Sequence, residues 1–334
     1  MRGKLVANLS ATARAFRVLA IVVAGLASFA HEAATQGPVH RIGIIQGVED
    51  AAVRALPDAL RARGYDVGRN LQIEVRSAQD QFDRIPALVA ELVALHPDII
   101  VAASPQTAVA VHATAPEIPL VFLTVADPVG IGLVPNLAHP GGNVTGIMTM
   151  VPEGFGAKLL ELLKMVAPDA SRIATLVNPK NQIHQRNQLK YADAARQLGV
   201  ELVVVQASKV EELEAAFQEA HARGAEAINV LGDTVTVRAS AKIANLTLQY
   251  RWPSIYLFRQ SVQDGGLMSY GPNLGELGRA CARQIDNILK GAKPGDLPVE
   301  QPTRFDLVIN LKTAKALGIT IPATLLAQAA ELIE

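Results

Sequence analysis

The stretch Ile118–Gly146, IPLVFLTVADPVGIGLVPNLAHPGGNVTG, indicates an α/β fold with a ligand site next to a change of lobe. Its first eight residues are a β-branched and apolar run, typical of a strand in the middle of a parallel sheet. Thr124 and Asp127 come where that strand ends, and open α/β sheets bind ligands at the carboxyl ends of their strands. A Pro-Gly-Gly break at 140–142 precedes a new strand-like segment, Val144–Met150, so a second lobe is predicted to begin there.

The first 30 residues are predicted to be a cleavable signal peptide. They carry four basic residues and no acidic one, followed by the apolar run Val18–Ala30, which ends in small residues. A retained membrane anchor is the alternative, but a spanning helix needs about 20 apolar residues and this run is shorter. Cleavage is therefore expected near Ala30, and the product is expected in the periplasm.

Charge and cysteine content exclude several classes of protein. Without the four basic residues of the leader, 27 of the 31 basic residues remain against 31 acidic ones, a net charge of −4. That balance does not favour binding to nucleic acid or to an anionic membrane. Cys281 is the single cysteine, so the sequence holds no disulfide framework and no cysteine at the leader boundary for lipid attachment.

After the leader, strand and helix patterns alternate with short connections, as expected for stacked βαβ units. The 334 residues suffice for two lobes of ordinary domain size. We predict an α/β fold with two Rossmann-like lobes, each with a parallel sheet, joined by a multi-stranded hinge because the tail returns a strand and a helix. The predicted N-terminal lobe comprises residues 40–145 plus 266–292, and the C-terminal lobe comprises residues 146–265 plus 293–334.

Three segments resemble a known family. They are DPVGIGLVPNLAHPGGNVTG at Asp127–Gly146, VNP at Val177–Pro179, and LGELGRACARQIDNILKGAKPGDLPVEQPTRFDLVINLKTAKALG at Leu274–Gly318. These segments resemble the TrpX-like substrate-binding proteins of bacterial ABC transporters, and the resemblance extends over residues 40–334. It implies a type I periplasmic binding protein fold, a two-lobed clamp that captures a small solute in the interlobe cleft and docks, when closed, on an inner-membrane permease. An amino acid, aromatic or branched-chain, is the expected solute.

In the first half, a helix start is the candidate site for a ligand carboxylate. Ser104 is predicted to be the N-cap and Pro105 the first helical residue, so the turn that continues through Gln106 and Thr107 presents free N–H groups and the positive end of the helix dipole. A capped helix without any ligand is the alternative. Gln46, at the end of the first strand, either points into the same cleft or is a surface residue.

At the end of the fourth strand, Thr124 is predicted to face the ligand. Asp127 is instead assigned to a turn, because an aspartate before proline more often organises a turn than binds a ligand.

In the second half, Asn178 and Asp233 each follow an apolar strand. Asp233 is the preferred partner of a ligand ammonium group, although Asp233 or Thr234 would serve equally as a helix N-cap. Phe258 and Tyr270 lie at strand ends, where a ring can stack on an aromatic or apolar solute, and Phe258 is preferred. Phe155 and Trp252 are assigned to packing.

Motifs for catalysis, metal or cofactor binding are missing. The scattered histidines have no HExxH or CxxC-linked spacing, and no GxSxG, GxxxxGK[ST] or GxGxxG follows a strand. We therefore predict no catalytic residue, no metal and no cofactor. The family resemblance implies a monomer that works with a permease, and the ATPase subunits are expected to be separate chains because this one has no P-loop. The alternatives are an enzyme for small acids on a two-lobed α/β scaffold and a ligand-sensing module for a receptor.

Overall fold

The computed structural model describes residues 38–47, 49–79, 81–149 and 155–334, so the predicted leader lies outside the described residues. The chain forms two compact units, and it passes between them more than once. The lobe boundaries proposed from the sequence stay a prediction. Of the described residues, the first unit contains those up to Leu123, Gly132–Gly146 and Gly278–Pro298, and the second contains those of Thr124–Ile131, Ile147–Leu277 and Val299–Glu334.

Five strands form the first sheet: β1 (His40–Gln46), β2 (Leu71–Ser77), β3 (Ile99–Ala103), β4 (Leu120–Val125) and β5 (Val144–Met148). Their order is β2-β1-β3-β4-β5, and β1 pairs in parallel with β2 and β3, as β3 does with β4. Strand β4 begins two residues later than the apolar run suggests, because Pro119 has no N–H to donate. The central strands are fully buried on both faces, which explains their continuous apolar sequences.

Helices cover this sheet: α1 (Ala51–Arg54), α2 (Leu56–Arg61), α3 (Ile85–Val93) and α4 (Pro105–Thr114). The sequence pattern of Ala51–Arg63 predicts one continuous helix, and this prediction is wrong. The helix is interrupted at Ala55, because Pro57 lies in the first turn of α2 and cannot donate a hydrogen bond to the preceding turn.

Seven strands form the second sheet: β6 (Arg172–Val177), β7 (Glu201–Gln206), β8 (Ala227–Val230), β9 (Ser254–Tyr256), β10 (Met268–Pro272), β11 (Phe305–Asn310) and β12 (Glu331–Ile333). Their order is β12-β11-β10-β9-β8-β6-β7, and these neighbours pair in parallel except β10 with β11, which is antiparallel. The sequence did not predict β12, which is too short for a recognisable alternation. The Arg259 guanidinium donates two hydrogen bonds of 2.6 Å to Glu331 and fixes this edge strand.

The remaining helices are α5 (Phe155–Val166), α6 (Gln182–Gln197), α7 (Leu213–Ala222), α8 (Thr234–Arg238), α9 (Ser240–Gln249), α10 (Arg259–Gln263), α11 (Leu274–Leu289), α12 (Leu311–Leu317) and α13 (Ala323–Gln328). The sequence pattern of Val235–Tyr250 predicts one helix, but the structure interrupts it at Ala239. The sequence pattern did not predict α10. Single 3₁₀ turns occupy Phe82–Arg84, Val210–Glu212 and Pro294–Asp296. Within the described ranges, no helix has both the length and the apolar content needed to cross a bilayer.

The second sheet has a packed core on each face because its side chains alternate. Ile173 and Val177 of β6 face a core shared with α5, which includes Phe155. Leu176 faces the opposite core, in which the Trp252 ring stacks on Phe217 at 5.6 Å between ring centroids. Phe155 and Trp252 are 6% and 3% exposed, so their assignment to packing is confirmed.

In the first unit, a buried carboxylate ties helix α11 to the loop after α2. Asp286 accepts hydrogen bonds from the Tyr65 hydroxyl at 2.9 Å, from Lys290 Nζ at 2.8 Å and from the Arg63 guanidinium at 3.2 Å. Burial of the carboxyl raises its pKa, but the hydrogen bonds from Lys290 and Tyr65 outweigh that effect, so the pKa of Asp286 lies below its ordinary value.

We expect Asp286→Asn to destabilise the fold by about 2 kcal/mol at neutral pH, because buried donors lose a charged acceptor. Since the folded-state pKa is lowered, this contribution is present above the ordinary aspartate pKa and disappears as the pH falls through the folded-state pKa. Urea unfolding at pH 7 and at pH 3 measures it. The difference between wild type and variant should shrink at the lower pH, and an equal difference at both pH values would contradict this assignment.

Candidate functional site

The polar residues that follow β6 and β8 are brought together in the second unit. These strands are neighbours in the sheet, so their carboxyl ends lie side by side. The Asn178 side-chain amide donates a hydrogen bond of 2.9 Å to Oδ1 of Asp233, although the two residues are 55 positions apart. Two of the predicted site residues therefore form one pair at the edge where α/β sheets bind ligands.

Asp233 is also the N-cap of α8. Its Oδ1 accepts the N–H of Val235 at 2.9 Å, while its own N–H donates to the Thr236 hydroxyl in a reciprocal capping box. Its Oδ2 accepts a hydrogen bond of 2.8 Å from the Asn181 side-chain amide. Asp233 is therefore the helix N-cap that the sequence offered as its alternative role. Asp233 is also partly exposed at the end of the sheet.

The hydrogen-bond donors to the Asp233 carboxylate are all neutral. Within the described part of the chain they are two side-chain amides and one backbone N–H, so no cationic side chain balances the charge of this carboxylate there. Neutral donors orient a carboxylate but leave its net charge in place. A ligand cation that reaches the partly exposed oxygens would make charge-assisted hydrogen bonds, the stronger kind.

The Phe258 ring lies against the same loop. Gly232, directly before Asp233, has no side chain, and a Cβ atom there would stand 3.0 Å from Cε2 of Phe258. Glycine thus allows the ring to lie against the residue that precedes the aspartate, and Phe258 is partly exposed. Three of the predicted residues, Asn178, Asp233 and Phe258, are consequently gathered at the ends of β6, β8 and β9.

Tyr270 lies one strand further along, on β10, inside a cluster of aromatic rings. Its ring stacks on Phe155 with centroids 5.3 Å apart, and both rings contact Phe305. Phe305 is the residue paired with Pro272 at the carboxyl end of β10, so the cluster lies at the same edge of the sheet as Phe258. Tyr270 and Phe305 are partly exposed, but both pack against the buried core that contains Phe155, so contact of Tyr270 with a ligand stays a prediction.

In the first unit, the predicted helix start is confirmed. Ser104 is the N-cap of α4 and accepts the N–H of Thr107 at 3.2 Å, with Pro105 in the first turn. The Thr107 hydroxyl donates to the Ser104 carbonyl at 3.0 Å, and Thr107 is fully buried, whereas Gln106 is exposed. Contact of these residues with a ligand carboxylate stays a prediction.

Gln46 ends β1 beside Ala103, the last residue of β3 and the one before Ser104. Its side chain is 8% exposed, and its Oε1 atom has no hydrogen-bond partner among the described residues. A buried amide oxygen without a donor costs free energy, which is unusual outside functional sites. Gln46 is therefore buried, which excludes the alternative that it is a surface residue.

Thr124 has a strained backbone. Its φ angle is +57°, in the left-handed region that β-branched residues rarely adopt. Such outliers are concentrated at binding and catalytic sites, which agrees with the prediction that Thr124 faces a ligand. Asp127 forms the predicted turn: its carboxylate accepts the N–H of Gly130 at 2.8 Å and its carbonyl accepts that of Ile131.

A family model described as ABC transporter substrate binding protein matches residues 41–333. The chain belongs to this family. The substrate-binding protein is 29% identical over 283 residues to a tyrosine-binding protein of Clostridioides difficile strain R20291, with 83% of this chain and 81% of that relative covered.

Two solved structures resemble the substrate-binding protein over 88% of this chain and 99% of theirs. A conserved domain protein of Vibrio cholerae O1 biovar eltor is 31% identical with a TM-score of 0.79. An ABC domain of Streptococcus pneumonia, solved in complex with L-Trp, is 26% identical with a TM-score of 0.78. The predicted type I periplasmic binding protein fold is confirmed.

Sequence analysis missed two residues of the site in this substrate-binding protein, Asn181 and His184. The sequence pattern after β6 predicts a helix that begins at Gln185, but the helix begins at Gln182. Asn181 is its N-cap and accepts a hydrogen bond of 2.9 Å from the Ile183 N–H. An asparagine three residues after Asn178 was the available signal for this cap. His184 was dismissed as a scattered histidine because no metal spacing includes it.

Proposed function

We propose that this protein is the periplasmic solute-binding component of an ABC importer, and that its solute is an aromatic L-amino acid. It delivers the solute to an inner-membrane permease whose ATPase subunits are separate chains, and it carries out no chemistry on the solute. Family membership supports the transport role, and the relatives described as binding tyrosine and L-Trp support the class of solute.

The observation that carries the choice of solute is the Asp233 carboxylate, which follows directly after Gly232, the residue against which the Phe258 ring lies. A carboxylate held by neutral donors suits an α-ammonium group. A partly exposed ring against the neighbouring residue, at the edge of the sheet where Tyr270 is also partly exposed, suits the aromatic side chain of the same ligand. A sugar or a nucleoside has no cation to balance the aspartate.

The ligand carboxylate is assigned to the first-unit residues, with the N-terminus of α4 behind Ser104 as its main partner. Backbone N–H groups and the helix dipole favour an anion at that position. Gln46, Gln106 and Thr107 are proposed to complete this half of the site. Asn178 is proposed to orient the ammonium partner, and Thr124 to contact the ligand.

Isothermal titration of purified protein with matched ligands tests this function. We expect L-tyrosine or L-tryptophan to bind with a Kd of about 1 μM or lower. Tyramine, which lacks the carboxylate, and 3-(4-hydroxyphenyl)propionate, which lacks the ammonium, should each bind at least about 100-fold more weakly, because each leaves a charged partner unpaired.

L-Leucine serves as the control for ring recognition, and it should bind more weakly than either aromatic amino acid. Binding of only sugars or nucleosides would overturn the choice of solute. The ligand recovered after incubation should be chemically unchanged by mass spectrometry, and turnover of a bound amino acid would overturn the non-enzymatic role.

A further inference from the structure

His184 is a buried histidine that the proposed ligand contacts do not use. It lies in the first turn of α6 and is 4% exposed. Its Nδ1 atom accepts the backbone N–H of Asn178 at 3.0 Å, and its Nε2 atom lies 3.1 Å from the Gly232 carbonyl oxygen. Because Nδ1 accepts and Nε2 faces an acceptor, the ring carries its single proton on Nε2.

These two contacts join the loops that carry the ammonium site. Asn178 donates its side-chain amide to Asp233, and Gly232 is the residue directly before Asp233. The imidazole thus bridges the loop after β6 and the loop after β8. One of its contacts is to a hydrogen-bond donor of Asp233, and the other is to the residue before Asp233. A shift of either loop would move a donor of Asp233 or Asp233 itself.

We propose that His184 is a positioning residue: its neutral imidazole holds Asn178 and thereby aims Asp233 at the ligand ammonium, so affinity for the amino acid falls when the ring gains a second proton. This inference rests on the proposed function. The second proton would sit on Nδ1, where it would face the Asn178 N–H at 3.0 Å, and two donors repel each other at that distance.

Within the described residues, the charged group near His184 is Asp233. The Gly232 carbonyl oxygen faces the Nε2 atom of the ring. Burial lowers the pKa of His184 below its ordinary value, and this outweighs the opposite effects of Gly232 and Asp233. A lowered pKa means that the neutral, holding form is fully present above the ordinary histidine pKa. The holding contact is lost as the pH falls through the folded-state pKa.

Two variants separate the functions of the ring nitrogens. In His184→Asn the side-chain carbonyl takes the place of Nδ1 and can still accept the Asn178 N–H, but it does not titrate. In His184→Gln the longer amide reaches the position of Nε2 and keeps a donor for Gly232, but leaves Asn178 unheld. His112→Asn, at an exposed histidine of α4, is the matched control.

The affinities of these proteins for L-tyrosine and L-tryptophan are measured by titration calorimetry at pH 7.5, 6.0 and 5.0. Wild type and His112→Asn should bind more weakly as the pH falls, by no more than about tenfold for each pH unit below the folded-state pKa of His184, as the linkage of one proton allows. His184→Asn should keep near-wild-type affinity at pH 7.5 and lose the pH dependence. His184→Gln should bind about fivefold or more weakly already at pH 7.5.

A pH-independent wild type, or a His184→Asn variant with the wild-type pH profile, would overturn the inference while leaving the proposed function intact. Failure of wild type to bind either amino acid at pH 7.5 would instead overturn the proposed function. A readout without ligand remains in that case: the backbone amide resonance of Asn178 should shift in NMR spectra together with the titration of the His184 ring. If the Asn178 resonance does not follow that titration, His184 does not position Asn178.

Discussion

Replacing Asp233 with alanine is expected to weaken binding of L-tyrosine or L-tryptophan by about 100-fold, which corresponds to roughly 2.7 kcal/mol. The variant removes the proposed partner of the ammonium group. It also leaves the side-chain amides of Asn178 and Asn181 without their acceptor. Charge-assisted hydrogen bonds and the cost of unpaired polar groups together account for an effect of this size.

Alanine at this position also removes the N-cap of α8, which costs about 1 kcal/mol of stability on its own. Asp233→Asn separates the two effects, because asparagine keeps a capping oxygen for Val235 while it loses the charge and the acceptor for the Asn181 amide. Asn310→Ala is the matched control for cap loss. Asn310 caps α12 through the Thr313 N–H at 2.9 Å, at the end of the antiparallel strand β11 and therefore at the opposite edge of the sheet.

We expect Asp233→Asn to lose most of the affinity while staying close to wild type in melting temperature. Asn310→Ala should show the reverse, a lower melting temperature and unchanged affinity. Calorimetric titration and a thermal melt of each protein give both quantities. Wild-type affinity in Asp233→Asn would remove Asp233 from the ligand site and leave it as a helix cap.

Gly271→Ala is expected to destabilise the protein by about 3 kcal/mol or more. A Cβ atom at this position in β10 would stand 1.8 Å from the carbonyl oxygen of Leu257. That oxygen belongs to the backbone, so no side-chain rotation relieves the clash and the chain after β9 must move away from β10. Overpacking of this kind costs 1–3 kcal/mol and occasionally more when the surroundings are rigid.

The same displacement should weaken ligand binding, because Leu257 precedes Phe258. Gly43→Ala is the matched control, since Gly43 lies in the central strand β1 and a Cβ there would meet the Leu92 side chain at an ordinary 3.4 Å. This control should change stability by less than about 1 kcal/mol and can even stabilise by restricting the unfolded chain. Urea denaturation measures the stability of both variants. Equal midpoints for Gly271→Ala and Gly43→Ala would show that the strands around Gly271 accommodate a Cβ atom without loss of stability.

Sequence patterns predicted the strands and most of the polar strand ends because these depend on local rules. Apolar runs identify buried strands, and Ser104 before Pro105 identifies a helix start. The sequence also placed Asn178 and Asp233 after strands. It did not reveal that β6 and β8 are neighbours in the sheet, which is what places the two side chains 2.9 Å apart.

Other features depended on contacts that no local pattern encodes. Thr124 was assigned to a ligand from its place at a strand end, but its left-handed backbone follows from the structure around it. His184 has no motif, since its role comes from two backbone partners in different loops. Gly232 and Gly271 look like ordinary loop and strand glycines, and only the packing of Leu257 and Phe258 explains why a side chain is excluded at each.

Trp252 is the single tryptophan of the chain, and its ring stacks on both Tyr250 and Phe217 in the second unit. Selective excitation of this indole therefore yields a fluorescence signal from one buried position in one unit. Far-ultraviolet circular dichroism reports both units, so comparing the two signals during denaturation distinguishes separate from concerted melting.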